Sequence, residues 1–312
     1  MDVDNGDVAR PQGPAQTLLS GDGAVGGFIE AADGIRLHYL RWSSTPAEPW
    51  AVVIFMHGIA SHAGWFAETA TKLEEHGVAV YAADRRGSGR SDGPRGHLPR
   101  YERALDDITR LVGLVASEQP GTPLFLAGSS WAAKLALVSA ALHPDPLSGL
   151  LLLGPGLLPR VSLTLPRRAA ALVGHVMAPR LRIAIPLTPQ MYTSNRPYLE
   201  FIRADPRRLL TATAQFFWET ARLDRRRSRA AARLRLPLLL LQGADDAMVD
   251  VAATRRWFTD IPVADKTYEA YGGAGHTLDF EPAGVRGRYV ADLLRWLSAH
   301  AGPRTAASEG GP

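Results

Sequence analysis

Short apolar or β-rich runs recur along this chain at residues 51–56, 78–83, 124–127, 150–153, 238–241 and 267–270, and each ends in Gly, Asp or a polar turn. Runs this short and this continuously apolar suit strands buried on both faces, since a strand with one wet face would alternate. Between them lie segments with helical spacing: Leu105, Ile108, Leu111, Val112 and Val115 in one, and Tyr289, Val290, Leu293, Leu294 and Leu297 in another. Strand and helix in alternation predict an α/β fold built on a mostly parallel sheet flanked by helices. Ahead of the first run, residues 27–31 and 35–42 read as a hairpin around Asp33-Gly34.

One block interrupts the alternation. Residues 157–233 contain no clear strand and several prolines, and Leu209, Phe216 and Leu223 recur every seven residues with Thr213 and Thr220 between them. That spacing predicts an amphipathic helix, and the block reads as a helical cap inserted between two sheet strands. The expected organisation is a tail at 1–26, a first core segment at 27–156, the cap at 157–233, a second core segment at 234–300 and a tail at 301–312.

At 312 residues the chain has room for one core carrying such an insertion. Its lack of cysteine excludes disulfides, thiolate metal sites and a cysteine nucleophile. The formal charge of +4 and a pI near 9.6 raise the question of nucleic acid. The basicity is local, however. Arg222, Arg225, Arg226, Arg227, Arg229, Arg233 and Arg235 crowd one stretch against Asp224 alone, and no nucleic-acid-reading motif accompanies them. A solvated helix face is expected there, with a contact to anionic head groups or a carboxylate-bearing substrate as the rival reading.

Residues 1–26 open with Asp2, Asp4 and Asp7 and lack a basic start followed by an apolar run, so a disordered tail without a targeting signal is expected. The longest apolar stretch, 150–158, is broken by Gly154, Pro155 and Gly156, too short for a membrane span. A cytoplasmic protein is expected, with peripheral membrane contact at most and an oligomeric state that the sequence leaves open.

The segment from Leu124 to Lys134 carries the chemistry. An apolar strand runs into Gly128-Ser129-Ser130-Trp131-Ala132 and then into helix formers, the setting of a strained strand-to-helix turn that exposes a nucleophile. Small residues must flank the serine, which selects Ser130, because centring on Ser129 would put Trp131 where a small residue is needed. Downstream, Gln242-Gly243-Ala244-Asp245-Asp246 follows one strand and Tyr271-Gly272-Gly273-Ala274-Gly275-His276 follows the last. A serine hydroxyl needs a base, His276, and the base needs a carboxylate to hold its tautomer. Asp245 and Asp246 are adjacent and cannot both face His276, while Asp250 reads as a helix-start residue.

Upstream, the strand at 51–56 leads into His57-Gly58-Ile59-Ala60-Ser61-His62-Ala63-Gly64-Trp65-Phe66. A glycine just after a central strand lets the backbone approach a reacting carbonyl, so the amides of Ile59 and Trp131 are the expected oxyanion donors. His57 reads as a structural hydrogen-bonder, and the spacing of His57 and His62 fits no metal-ligand cluster. Neither metal nor cofactor is expected.

Together with Asp84-Arg85-Arg86-Gly87-Ser88-Gly89-Arg90-Ser91-Asp92-Gly93-Pro94-Arg95-Gly96-His97, these segments resemble the α/β-hydrolase superfamily, in particular its monoacylglycerol lipase and lysophospholipase branch. The resemblance covers about residues 28–299. It implies an α/β-hydrolase fold with a helical cap and a first oxyanion amide on the loop after His57. Its Gly-x-x-Asp frame, laid on Gly243, selects Asp246. Lipases of that branch usually carry His, Met and two glycines around the serine, where this chain has Ser129, Trp131, Ala132 and Ala133. The elbow and the Asp-x-Arg-Gly-x-Gly-Arg-Ser loop also resemble proline iminopeptidases, but the His-Gly-Gly-Pro-Gly segment expected there is absent. Lys134, on a helix normally buried under the sheet, is unusual, and a salt-bridged or snorkelling side chain is its expected state.

The expected function is a serine hydrolase that cleaves a hydrophobic acyl ester, such as a monoacylglycerol or lysophospholipid, through an acyl-enzyme. Trp65, Phe66, Phe216 and Phe217 are the candidate substrate contacts. Other readings are an aminopeptidase, which needs a cap acid such as Glu200 or Glu219 facing the substrate amine, an acyl transferase or thioesterase on the same residues, and a non-catalytic small-molecule binder on the same scaffold.

Overall fold

The computed structural model describes residues 23–43 and 48–302. The tails expected at 1–26 and 301–312 fall largely outside the described residues. In chain order the elements are β1 (Val25–Glu30), β2 (Arg36–Trp42), β3 (Ala51–Met56), α1 (Ala67–Glu75), β4 (Val78–Ala83), α2 (Tyr101–Glu118), β5 (Leu124–Ser129), α3 (Ala132–Leu142) and β6 (Leu147–Leu153). There follow α4 (Leu165–Met177), β7 (Arg182–Ala184), α5 (Arg196–Ala204), β8 (Thr211–Thr213), α6 (Ala214–Ala231), β9 (Leu238–Gly243), α7 (Val251–Asp260), β10 (Lys266–Tyr271) and α8 (Ala283–His300).

Eight strands form one sheet in the order β1-β2-β4-β3-β5-β6-β9-β10. The pairs β1–β2 and β2–β4 are antiparallel, and all the others are parallel. Every residue of β3 and β4 is buried, and because alternate side chains point to opposite faces, both faces of the central sheet are covered. The helical periodicities behave as their spacing demands: Leu105, Ile108, Leu111, Val112 and Val115 are the buried stripe of α2, and Tyr289, Leu293 and Leu297 lie in that of α8. The fold is the α/β-hydrolase sheet that the sequence implied.

Two readings need correction. β1 begins at Val25, so Val25 and Gly26 pair in the sheet with Arg41 and Leu40 where a tail was expected. The 157–233 block does contain strands, since β7 and β8 pair antiparallel as a small ribbon. The β-branched Thr211 and Thr213 favour extended backbone, and Thr213 then accepts the Phe216 N–H at 3.1 Å, so α6 starts at Ala214 rather than at Leu209. The buried cluster of the sheet continues without a break into Tyr198, Phe201, Ile202, Phe216 and Leu223 of this block.

Candidate active site

The residues singled out in the sequence gather where parallel strands end: Gly58 just past β3, Ser130 just past β5, Asp246 past β9 and His276 past β10. In open α/β sheets the carboxyl edge is where loops converge into a crevice. Ser130 has φ of 52°, and among the described residues no other non-glycine has a positive φ. Such a conformation costs on the order of 1–3 kcal/mol and persists only where its surroundings fix it. Here the Ser130 N–H donates to the Leu153 carbonyl at 3.0 Å, and the Gly156 N–H donates to the Ser130 carbonyl at 2.8 Å. The small neighbours are explained by distance. A Cβ on Gly128 would stand 2.7 Å from the Ala136 Cβ, and one on Gly58 would stand 3.0 Å from the Ser130 Cβ.

Ser130 Oγ lies 2.8 Å from His276 Nε2, and His276 Nδ1 lies 2.7 Å from Asp246 Oδ2. The other carboxylate oxygen of Asp246 accepts the N–H groups of Met248 and Val249 at 2.8 and 3.1 Å. Asp246 is buried and Asp245 is exposed. Asp250 caps α7, its carboxylate accepting the Ala253 N–H at 2.8 Å. The N–H groups of Ile59 and Trp131 meet no protein acceptor among the described residues, and both residues border the space in front of Ser130.

The loop carrying Ile59 is braced by Arg85, a residue to which the sequence alone assigns no role. Arg85 donates from Nη2 to the carbonyls of Gly58 and Ile59 at 2.8 and 3.0 Å, and from Nε to that of His57 at 3.2 Å. Its guanidinium also lies 4.8 Å from the centre of the Trp131 ring, so one side chain touches both candidate oxyanion segments. His57 Nε2 accepts the Arg85 N–H at 3.0 Å. Burial, reinforced by the Arg85 charge, holds the imidazole well below its ordinary value and therefore neutral. The Asp84 carboxylate ties that loop, through the Ala63 N–H at 2.8 Å, to His38 of β2 at 2.9 Å and to the Arg90 N–H of its own loop at 2.9 Å. The signal was present in the Asp84–Ser91 motif, but only the fold shows which backbone it grips.

Two cavities meet at Ser130 and His276. The smaller, about 20 Å³, is bordered by His57, Ser61, Trp65, Tyr192 and Asp279. Burial pushes the Tyr192 hydroxyl up to about 12. The larger, about 210 Å³, is walled by Leu163, Ile185, Leu187, Phe217, Met248 and Val249. Of the candidate substrate contacts, Trp65 borders the small cavity and Phe217 the large one. Phe66 and Phe216 border neither: Phe66 stacks on Phe55 with centroids 3.9 Å apart, and Phe216 packs 4.9 Å from the Trp131 ring at 2% exposure. Both are drawn inward because the apolar sheet and elbow offer a fully buried partner.

Lys134 is buried, its Nζ 2.7 Å from Asp224 Oδ1. The arginine stretch divides. Arg225, Arg229, Arg233 and Arg235 are exposed as expected, whereas Arg227 is buried with Nε 3.6 Å from the same Asp224 oxygen. Glu219 is buried among Arg222, Gln215 and the Tyr101 N–H, and Glu200 is exposed and paired with Arg196. Neither borders a cavity that touches Ser130. Among the described residues, no group of three His, Asp or Glu side chains gathers as metal ligands, and no helix is long and apolar enough to cross a membrane.

A sequence model of the family described as "Serine aminopeptidase, S33" matches residues 47–283. Monoglyceride lipase of Rattus norvegicus is 29% identical over 270 residues, which span 86% of this chain and 88% of that protein. Monoacylglycerol lipase of Mycolicibacterium smegmatis is 28% identical over 271 residues, 86% of this chain and 94% of the other. The crystal structure of a soluble variant of monoglyceride lipase from Saccharomyces cerevisiae, in complex with a substrate analog, superposes with a TM-score of 0.80. It is 23% identical, with 89% of this chain and 95% of that one covered.

Proposed function

The chain belongs to the serine aminopeptidase S33 family, and from that premise we propose that it hydrolyses carboxylic esters of hydrophobic acyl groups through an acyl-enzyme on Ser130. The observation that carries the proposal is the continuous relay from Ser130 Oγ to His276 at 2.8 Å and on to Asp246 at 2.7 Å, set at the mouth of an apolar cleft. His276 Nε2 takes the hydroxyl proton as Oγ attacks the ester carbonyl. His276 Nδ1–H donates to Asp246, which holds the tautomer and stabilises the imidazolium. The oxyanion that forms is met by the N–H groups of Ile59 and Trp131. His276 then passes its proton to the departing alcohol, and a water activated by the same imidazole releases the acid.

Relatives named monoglyceride lipase support an acyl ester over a peptide, and the site agrees. An aminopeptidase needs a free carboxylate to hold the substrate amine. Glu200 and Glu219 are turned elsewhere, Asp224 on the large cleft already faces Lys134 and Arg227, and Asp279 on the small cavity accepts from Thr69. A purely binding role leaves the strained Ser130 backbone and its aligned base without a purpose. In this reading residues 157–233 act as the cap that walls the cleft. Leu165, Leu172, Val173, Val176 and Met177 lie within one stripe of α4 and are all exposed, with Arg167 and Arg168 on the same helix, which supports a peripheral contact with an anionic lipid surface.

The test is incubation with a fluorophosphonate probe and mapping of the label by mass, together with hydrolysis of neutral esters of increasing acyl length. The expected results are a single adduct on Ser130 and activity that rises with chain length. An unlabelled Ser130 with no ester turned over would overturn the proposal.

A further inference from the structure

The large cleft is apolar on most of its wall, yet one part of it is charged. Lys134 and Asp224 both border the same 210 Å³ that touches Ser130 and His276. Lys134 is the third residue of α3, four positions after the nucleophile. Phe217, Thr220 and Asp224 face it from α6 at helical spacing.

Stability does not account for this lysine. Its side chain is 4% exposed while that of its partner Asp224 is 35% exposed, so the ammonium bears the cost of burial and the carboxylate that pairs with it is partly screened by solvent. The balance of charge is also unequal. Two cations, Lys134 at 2.7 Å and Arg227 at 3.6 Å, share the single Oδ1 of Asp224. Neither Asp224 Oδ1 nor Arg227 Nε makes a well-directed hydrogen bond. A lysine has three donors, and among the described residues Asp224 is its one partner. The result is a surplus positive charge with unused donors beside an otherwise greasy cleft. Burial lowers the Lys134 ammonium from its ordinary value and Asp224 pulls it back, so an incoming anion would reinforce the charged form.

We propose that Lys134 is the specificity-determining residue of this hydrolase and that its ammonium binds a carboxylate at the far end of the ester held in the cleft. The preferred substrate is then an ester with an apolar stretch for the cleft wall that also carries an acidic terminus. The inference rests on Ser130 acting as proposed above. The acidic terminus belongs either to the acyl part, as in a half-ester of a dicarboxylic acid, or to the alcohol part, as in an ester of a hydroxy acid.

The experiment compares two matched pairs on the full chain. For the acyl side, an activated adipate half-ester is set against the hexanoate ester of the same alcohol. For the alcohol side, the acetate ester of a hydroxyhexanoic acid is set against hexyl acetate. A charge-assisted hydrogen bond predicts a preference in kcat/KM of about ten- to a hundredfold for the acidic member of one pair, and the pair that shows it locates the carboxylate. In Lys134→Met the acidic-to-neutral ratio should fall to one or below. Should that variant fail to fold, the wild-type protein still decides, because adipate should then inhibit at least tenfold better than hexanoate. Hydrolysis with the neutral member favoured in both pairs, or a ratio unmoved by Lys134→Met, overturns the inference and leaves the ester-hydrolase reading standing. Absence of turnover on all four esters, with Ser130 unlabelled by fluorophosphonate, overturns both.

Discussion

Asp245 and Asp246 are one residue apart and chemically identical, yet one is exposed and the other is buried 2.7 Å from His276. The backbone makes the choice: the Asp245 N–H donates to the Ala274 carbonyl, which turns the next side chain inward onto the amides of Met248 and Val249. Asp246→Asn should therefore lower kcat roughly ten-thousand-fold through the wrong imidazole tautomer, while Asp245→Asn stays close to wild type. Steady-state kinetics on one ester decides it, and the reverse order would displace the relay by a residue. At this scale the sequence was most legible where geometry forces residue type, as at Gly128, Ser130 and Gly243. Arg85 was not, because its work is done on backbone carbonyls, and no pattern of side chains records where those carbonyls lie.

Among the elements, α6 best shows what periodicity can and cannot tell. The seven-residue recurrence of Leu209, Phe216 and Leu223 marks positions that are all buried, but Leu209 precedes the helix. Periodicity reports which side chains turn inward, and the cap at Thr213, whose hydroxyl takes the Phe216 N–H, decides where the helix starts. The three-residue β7 and β8 were beyond reach for a related reason, since so short a strand carries no alternation to read. Adjacent phenylalanines on α6 also part company, because Phe217 borders the cleft and Phe216 lies under Trp131. Phe217→Ala should raise KM more for long-chain than for acetate esters, at about 0.8 kcal/mol for each substrate methylene that is left in water. Phe216→Ala should instead cost about 3–5 kcal/mol of stability and reduce activity on all chain lengths alike. Thermal melts and a chain-length series separate the two, and a length-dependent effect at Phe216 would contradict its packing under Trp131.

Across the whole molecule, the site sits on a sheet whose covering helices bury ionisable groups as well as apolar ones. Asp279, between His276 and α8, is pushed up to about 6 from an ordinary 3.8, chiefly by burial, against a hydrogen bond from Thr69 at 2.6 Å. A folded value above the unfolded one means that the folded state holds the proton more tightly. That contribution is complete below about pH 4 and is lost as the pH rises towards 6, on the order of 3 kcal/mol in all. Asp279→Asn, which cannot ionise, should therefore melt above wild type at pH 8 and lose that advantage near pH 4. An equal difference at both pH values would show that ionisation of Asp279 is not what limits stability. The parallel sheet and its flanking helices were legible because burial on both faces leaves continuous apolar runs. The charged floor of the cleft was not, because Lys134 and Asp224 are far apart in sequence and meet only once α3 packs on α6.

The central claim is that Ser130, and not its neighbour, forms the acyl-enzyme. The direct measurement is kcat for hydrolysis of one neutral ester by Ser130→Ala and Ser129→Ala, with circular dichroism confirming that both are folded. Loss of Ser130 should cost on the order of a million-fold, and loss of Ser129 far less. Comparable losses at the two positions, or a Ser130→Ala protein that still turns over the ester, would contradict the account.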